Sequence, residues 1–516
     1  MGRRLVAAAL ALLVIAGCSA PKPVTQAPPP QNSTFVYVEN TGVITDWDPA
    51  TSYSNEIIAM QNIYESLTVW NPVTRKASPR LATSWRTSTD GKTWTFTLRQ
   101  GVRFHTGKTM DAASVKAAIE RTIASKSTPA YIWGPVDSIS TDNPLTITFT
   151  LKYPAPLDLI ASAGYASYIY DPAGVDKNGK TDGGTGPYTI DNWRKGKRDE
   201  LTLKAFDGYW GGWDRPHYTK VNFQVSVEQD TSWRRLLHGD ASFLYRLNSG
   251  GYHQARGTAG VRTSKMPSFQ TMMLLFNTAS GPLTDVRVRR ALQKSVNYSG
   301  LIKAMKGGAV LPSGLVPPGL FGHVSGRPPR QDLAAAARLF ARAGYGPGGK
   351  PLTLSLTYAE GDEDQKLMAT TLAKTLSQLD VTLVVKAMPW EDQWALGKKG
   401  GQDIFAMYWW PDYADAYSYF GNVFRSSKAT EFNLSYLKDP VVDDLIDRIP
   451  ELTVSDRAAA ARTYAQLTSR VLDLRAAAAV PWVVTYQRAY LGGVQGYDDN
   501  PAYPDVVFAY DLWPSG

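Results

Sequence analysis

The chain has 516 residues, more than one hydrophobic core organises, so at least two domains or lobes are expected. Apolar residues at 43 % and charged residues at 20 % exclude a disordered chain. The formal charge of +9 is spread along the length, with pairs such as Arg289-Arg290 and Lys398-Lys399 but no basic block; this excludes a nucleic-acid footprint and suits a protein near an anionic membrane.

The first element is a leader. Arg3 and Arg4 precede an apolar run from Leu5 to Ala16, too short to cross about 30 Å of hydrocarbon but the right length for the core of a signal peptide. The run closes with Ile15-Ala16-Gly17-Cys18, and Cys18 is the only cysteine. This resembles a bacterial lipobox, which implies cleavage after residue 17, acylation of Cys18 and no disulfide in the mature fold. With Cys18, the following SAPKPVTQAPPPQN reads as an extended Pro-rich tether, residues 18–32. No later apolar run is long enough to span a bilayer, so only the lipid is expected to be embedded.

The body begins with a short strand, FVYV, a turn, ITDWDPATS, and then EIIAMQNIYESLTVW, in which Ile57, Met60, Gln61 and Tyr64 share a helical face. Strand alternation follows at Trp94, Phe96 and Leu98, and again at Leu145, Ile147, Phe149 and Leu151. Between them Asp111 is placed to cap a helix over AASVKAAIERTI. Farther on, strand and helix alternate: LTLSLTY, then EDQKLMATTLAKTLSQL with Leu372, Leu376 and Leu379 on one face, then VTLVVKA and the buried run QDIFAMYWW. This predicts an α/β lobe with parallel strands.

Catalytic and metal chemistry find little support. The five histidines, at 105, 217, 238, 253 and 323, never fall at i, i+4 spacing and have no cysteines to join them, so no metal or cofactor is expected. There is no G-x-S-x-G. The glycines of GYGPGG at 344–349 follow the helix DLAAAARLFARA, where Gly344 serves as a C-cap and not as part of a phosphate loop.

One segment stands out. WWPDYADAYSYF, residues 409–420, crowds six rings around Asp412 and Asp415 where a strand ends, and Pro411 keeps the strand from continuing. Ligands of open α/β sheets bind beyond the carboxyl ends of strands. A carboxylate flanked by rings is a seat for a ligand ammonium, through charge pairing and cation–π attraction. The candidate ligand-binding residues are Asp412, Trp409, Trp410 and Tyr413, with Asp415 supporting the loop and Tyr419 and Phe420 packing beneath. A pair of hydrolytic carboxylates, Asp412 and Asp415, is the competing reading; both would come from one loop instead of flanking a bond from two sides.

Several stretches together resemble one family: ITDWDPATS, IYESLTVWNP, LATSWRTSTDGKTWTFTLRQGVRFHTGKTMDAASVKAAIER, GTGPYTIDNW, FDGYWGG, FNTASGPLTDVRVRRALQKSVNY, ARLFARAGY and WWPDYADAY. They are similar, in order and over nearly all the chain after the tether, to the extracytoplasmic solute-binding proteins of ABC transporters of the peptide/nickel class. The resemblance implies a two-lobed periplasmic-binding-protein fold of type II, cluster C. Lobe I would comprise 33–82, 185–272 and 483–516, the inserted subdomain 83–184, and lobe II 273–482.

It implies further a monomeric, non-enzymatic receptor on the outer face of the cytoplasmic membrane that passes oligopeptides to a permease and its ATPases. An oligosaccharide or other non-peptide ligand is the alternative. In peptide-binding relatives the aspartate matching Asp412 pairs with the ligand's N-terminal ammonium, and Trp409 matches the preceding tryptophan. Two arginines of relatives are missing here: the stretch after LTLSLTY is AEGDEDQ, and the position before the tryptophans is Ala406. The sequence thus offers a partner for the amine end of a peptide and none for its carboxylate.

Overall fold

The computed structural model describes residues 34–39, 47–53, 56–176, 179–194, 200–226, 228–247, 249–503 and 505–515. The leader, Cys18 and the tether lie outside them.

Two long antiparallel strands organise the molecule, Val261–Phe276 and Ala478–Leu491. On one side of them the sheet continues through Phe243–Leu244, Thr34–Glu39, Lys220–Val225, Glu200–Ala205 and Tyr188–Arg194. On the other it continues through Ile404–Trp409, Leu352–Ala359 and Val381–Met388. Each side carries its own helices and core, so the fold is a two-lobed α/β type joined by the two long strands. Their pairing shifts register between Pro267 and Thr271 and again between Met272 and Leu274, where the long strand passes from one lobe to the other.

A separate four-stranded antiparallel sheet projects from the first lobe, in the order Ala82–Thr87, Thr93–Leu98, Thr146–Leu151, Val136–Asn143. Its pleat follows the sequence alternation: Trp94, Phe96 and Leu98 point inward, as do Ile147, Phe149 and Leu151. The helix Ala112–Ala124 covers that face and starts in a capping box between Asp111 and Ser114. The expected amphipathic helix at Ile57 is shorter than its periodicity suggests: it stops at Ile63, with Tyr64 already extended, and all seven residues are buried.

In the second lobe Leu352–Ala359 pairs in parallel with both Val381–Met388 and Ile404–Trp409. The helix Glu363–Ser377 connects the first pair and buries Leu372 and Leu376. The strand Ile404–Trp409 is sandwiched between two cores. Ile404 and Ala406 enter the one that holds Leu354 and Leu356, while Phe405, Met407 and Trp409 enter the one that holds Phe420 and Tyr464. The latter core also takes in Trp70, Leu159 and Tyr503 from the facing lobe.

Candidate ligand site between the lobes

The strand Ile404–Trp409 ends before Pro411, and the chain turns through a loop into the short helix Tyr417–Gly421. The loop is held from inside. Asp415 Oδ1 accepts from the Tyr417 amide at 2.9 Å and from the Tyr464 hydroxyl, which ties the loop to the helix Arg457–Ser469. Ser418 Oγ meets both the Trp409 indole N–H at 3.3 Å and the Asp412 amide at 3.4 Å. Beneath them Tyr419 and Phe420 have no exposed surface, and the Tyr419 hydroxyl donates to the Trp409 carbonyl at 3.0 Å.

Asp412 sits at the tip of this frame and is 5 % exposed. Its Oδ1 accepts the hydroxyls of Tyr131 and Tyr165, each at 2.6 Å, and its Oδ2 accepts Asn422 Nδ2 at 3.2 Å. Tyr131 stands on the turn Thr128–Trp133 and Tyr165 follows the short helix Leu157–Ile160, so both donors come from the opposite side of the cleft. Burial pushes the Asp412 carboxyl up to about 6, against the pull of the three donors. Among the described residues no Lys, Arg or His forms an ion pair with it. A buried carboxylate with neutral donors and no cation gains most from a cationic ligand group.

The rings divide. Trp409 is 8 % exposed and meets Phe432 edge-on at 5.1 Å, so most of its surface belongs to the core. Trp410 is half-buried. Tyr413 is also half-buried and packs against the cores of both lobes.

A cavity of about 1130 Å³ lies between the lobes. Leu356 is level with Ile404 and Thr357 with Phe405, so the loop after Leu352–Ala359 and the Asp412 loop leave the same carboxyl edge of adjacent strands. The cavity is lined by the first of these loops, Glu360 to Asp364, by Ala304 to Lys306 of the same lobe, and by Leu244 to Leu247 of the facing lobe. Thr485 and Gln487 of the long strand and Asp505 complete it. Asp412, Trp409, Trp410 and Tyr413 are not among its lining residues.

Inside the cavity Arg246 Nη2 is 2.5 Å from Asp364 Oδ2, a contact from one lobe to the other. The acidic stretch AEGDEDQ therefore faces an arginine after all, one supplied by the other lobe. Ala406, where the resemblance led to the expectation of a second arginine, has no exposed surface, and its carbonyl accepts Gln393 Nε2 at 3.0 Å.

Sequence reasoning did not single out Arg246, Tyr131 or Tyr165. Arg246 follows a two-residue strand, Phe243–Leu244, with no periodicity to mark it. The two tyrosines lie in aromatic-rich loops, AYIW and GYASYIY, and that crowding was the available signal. Of the histidines, His105 is buried against Asp182 and the Gly186 carbonyl, a structural pairing. Among the described residues no three His, Cys, Asp or Glu side chains group as a metal site.

The model of the bacterial extracellular solute-binding proteins, family 5 Middle, matches residues 76–431. The chain belongs to this family. As a family 5 solute-binding protein it is an extracytoplasmic binding component of ABC transport and not an enzyme, which sets aside the hydrolytic pairing of Asp412 with Asp415. No helix among the described residues is long and apolar enough to cross a membrane.

The probable D,D-dipeptide-binding periplasmic protein DdpA of Escherichia coli K12 is 26 % identical over 438 residues, 83 % of each chain. The structure of NikA from Brucella suis in complex with Fe(III)-EDTA superposes with a TM-score of 0.82 at 22 % identity, over 93 % of this chain and 99 % of NikA. DppA from Helicobacter pylori in complex with the peptide STSA gives 0.80 at 21 % identity, over 94 % and 98 %. These last two likenesses establish the fold.

Proposed function

We propose that this family 5 protein is a lipid-anchored receptor that captures oligopeptides between its lobes and delivers them to an ABC permease driven by its ATPases. The observation that carries this reading is the buried Asp412 carboxylate, walled by tyrosines from across the cleft and without an ion-pair partner among the described residues. A ligand ammonium seated there touches groups of both lobes and so favours the closed arrangement by its differential contacts. Trp410 and Tyr413 offer partly exposed rings beside it, and Trp409 shapes the strand end. The dipeptide and peptide named for DdpA and DppA agree in chemistry.

The lobes are proposed to divide at the boundaries expected from the sequence, with 83–184 as the inserted subdomain. Cys18 is proposed as the lipidated residue, tethering a monomer to the outer face of the cytoplasmic membrane. The second reading is a non-peptide ligand, supported by the metal chelate in the NikA complex.

Mass spectrometry of small molecules released from the protein purified without added ligand tests the choice. Peptides with free amines support the proposal. Recovery of chelates or sugars with no peptide would replace it with the second reading.

A further inference from the structure

The interlobe cavity holds more acid than base. Glu360, Asp362, Glu363 and Asp505 line it beside Asp364, against Arg246 and Lys306, an excess of three carboxyl groups. Part of this belongs to the fold: Asp362 caps the helix Glu363–Ser377, and carboxylates suit its first turn. The helix end does not explain why Arg246 reaches over from the other lobe. Both partners of that pair line the cavity, with 36 % of the Arg246 side chain and 32 % of the Asp364 side chain exposed. Thr485, on the long strand and 3 % exposed, lines the same space.

A solute that fills the end of the cavity at Arg246 and Asp364 must break or share their contact. One carrying only positive charge would take Asp364 and leave Arg246 with only the longer-range attraction of Asp362 and Asp505. One carrying only negative charge would take Arg246 and leave Asp364 facing Glu360, Asp362 and Glu363. A solute bearing both charges close together satisfies both partners and replaces one direct ion pair with two ligand-mediated ones.

We infer that Arg246 and Asp364 form a charge-splitting subsite: Arg246 binds the ligand's terminal carboxylate, and Asp364 binds a cationic side chain next to it. The preferred peptide therefore ends in a basic residue. This rests on the reading that the protein binds peptides between its lobes, and it supplies the carboxylate partner absent from the AEGDEDQ loop.

Calorimetric titration of the full chain tests the subsite with alanine peptides ending in lysine, the same peptides as C-terminal amides, and the same peptides ending in norleucine. Amidation and norleucine should each weaken binding about tenfold or more. The first loss should vanish in Arg246→Gln and the second in Asp364→Asn. Equal binding of acid and amide by the wild-type protein overturns the subsite without any variant, as does undiminished sensitivity to amidation in Arg246→Gln. If those peptides bind and lose affinity on N-acetylation yet ignore amidation, the subsite fails while the peptide reading stands. If no peptide binds the wild-type protein, both fail.

Discussion

The hydroxyl of Tyr165 lies 2.6 Å from Asp412 Oδ1, although the two residues are 247 positions apart and belong to opposite walls of the cleft. With Tyr131 it makes the second lobe's buried carboxylate an acceptor for the first lobe's side. The carboxylate is thus enclosed by the meeting of the two walls.

Removing one of these donors weakens the frame. Tyr165→Phe leaves Oδ1 with the Tyr131 hydroxyl alone, and a hydrogen bond to a charged group contributes about 1.5–3 kcal/mol. Denaturant unfolding of the ligand-free protein at neutral pH is expected to show a loss of about 2 kcal/mol, and the Asp412 carboxyl should titrate higher than in the wild type. No change in either would show that the hydroxyl is spent on solvent instead.

Ligand binding should depend on pH with a definite sign. Burial holds the Asp412 carboxyl up to about 6, above the ordinary value of 3.8, so it carries its charge above pH 6 and loses it below. Affinity for a free-amine peptide should fall as the pH drops through 6, by about tenfold per unit at the limit. For folding the sign is opposite: the raised value favours the protonated native state, so this group's contribution declines as pH rises from about 4 to 6. Calorimetry between pH 4.5 and 8 should give a profile that flattens in Asp412→Asn.

The two tryptophans should separate into core and surface. Trp409 is 8 % exposed and packs on Phe432, so Trp409→Ala is expected to cost about 3–5 kcal/mol of stability. Trp410 is half-buried, and Trp410→Ala should cost about 1 kcal/mol while reducing ligand affinity. Thermal and denaturant unfolding measure the first effect and titration the second.

Acid should attack the second lobe through Asp439. Its buried carboxylate caps the helix Pro440–Ser455 and pairs with Arg470 at 2.8 Å and Arg475 at 2.5 Å. Burial opposes its ionisation, but the two guanidinium groups win and bring its pKa to about 2. The stabilisation is fully present above pH 4 and is lost as pH falls toward 2. Asp439→Ala, which leaves both arginines without their acid, should cost about 3 kcal/mol at neutral pH by denaturant unfolding.

Much of the fold was legible because its signals are local. Alternation in TWTFTL and TITFTL fixes which rings face the small sheet's core, and the Asp111 cap and Gly344 turn are written in a few adjacent residues. The end of the strand at Trp409 was equally readable from Pro411. The helix at Ile57 was overread because residues buried on all sides carry no amphipathic period. What stayed hidden comes from closure of the lobes. Tyr131, Tyr165 and Arg246 acquire their roles from residues 281, 247 and 118 positions away, and no periodicity encodes such a meeting. The AEGDEDQ loop meets Arg246 of the facing lobe, and such a contact leaves no mark in the local sequence.

The central claim is that Asp412 anchors the ammonium of a peptide ligand, and titration of Asp412→Asn with matched free-amine and N-acetylated peptides tests it most directly. The account predicts that the substitution weakens free-amine peptides by at least about tenfold and leaves the acetylated ones nearly unchanged. Equal losses for both would contradict it, and would make Asp412 a contact between the lobes and nothing more.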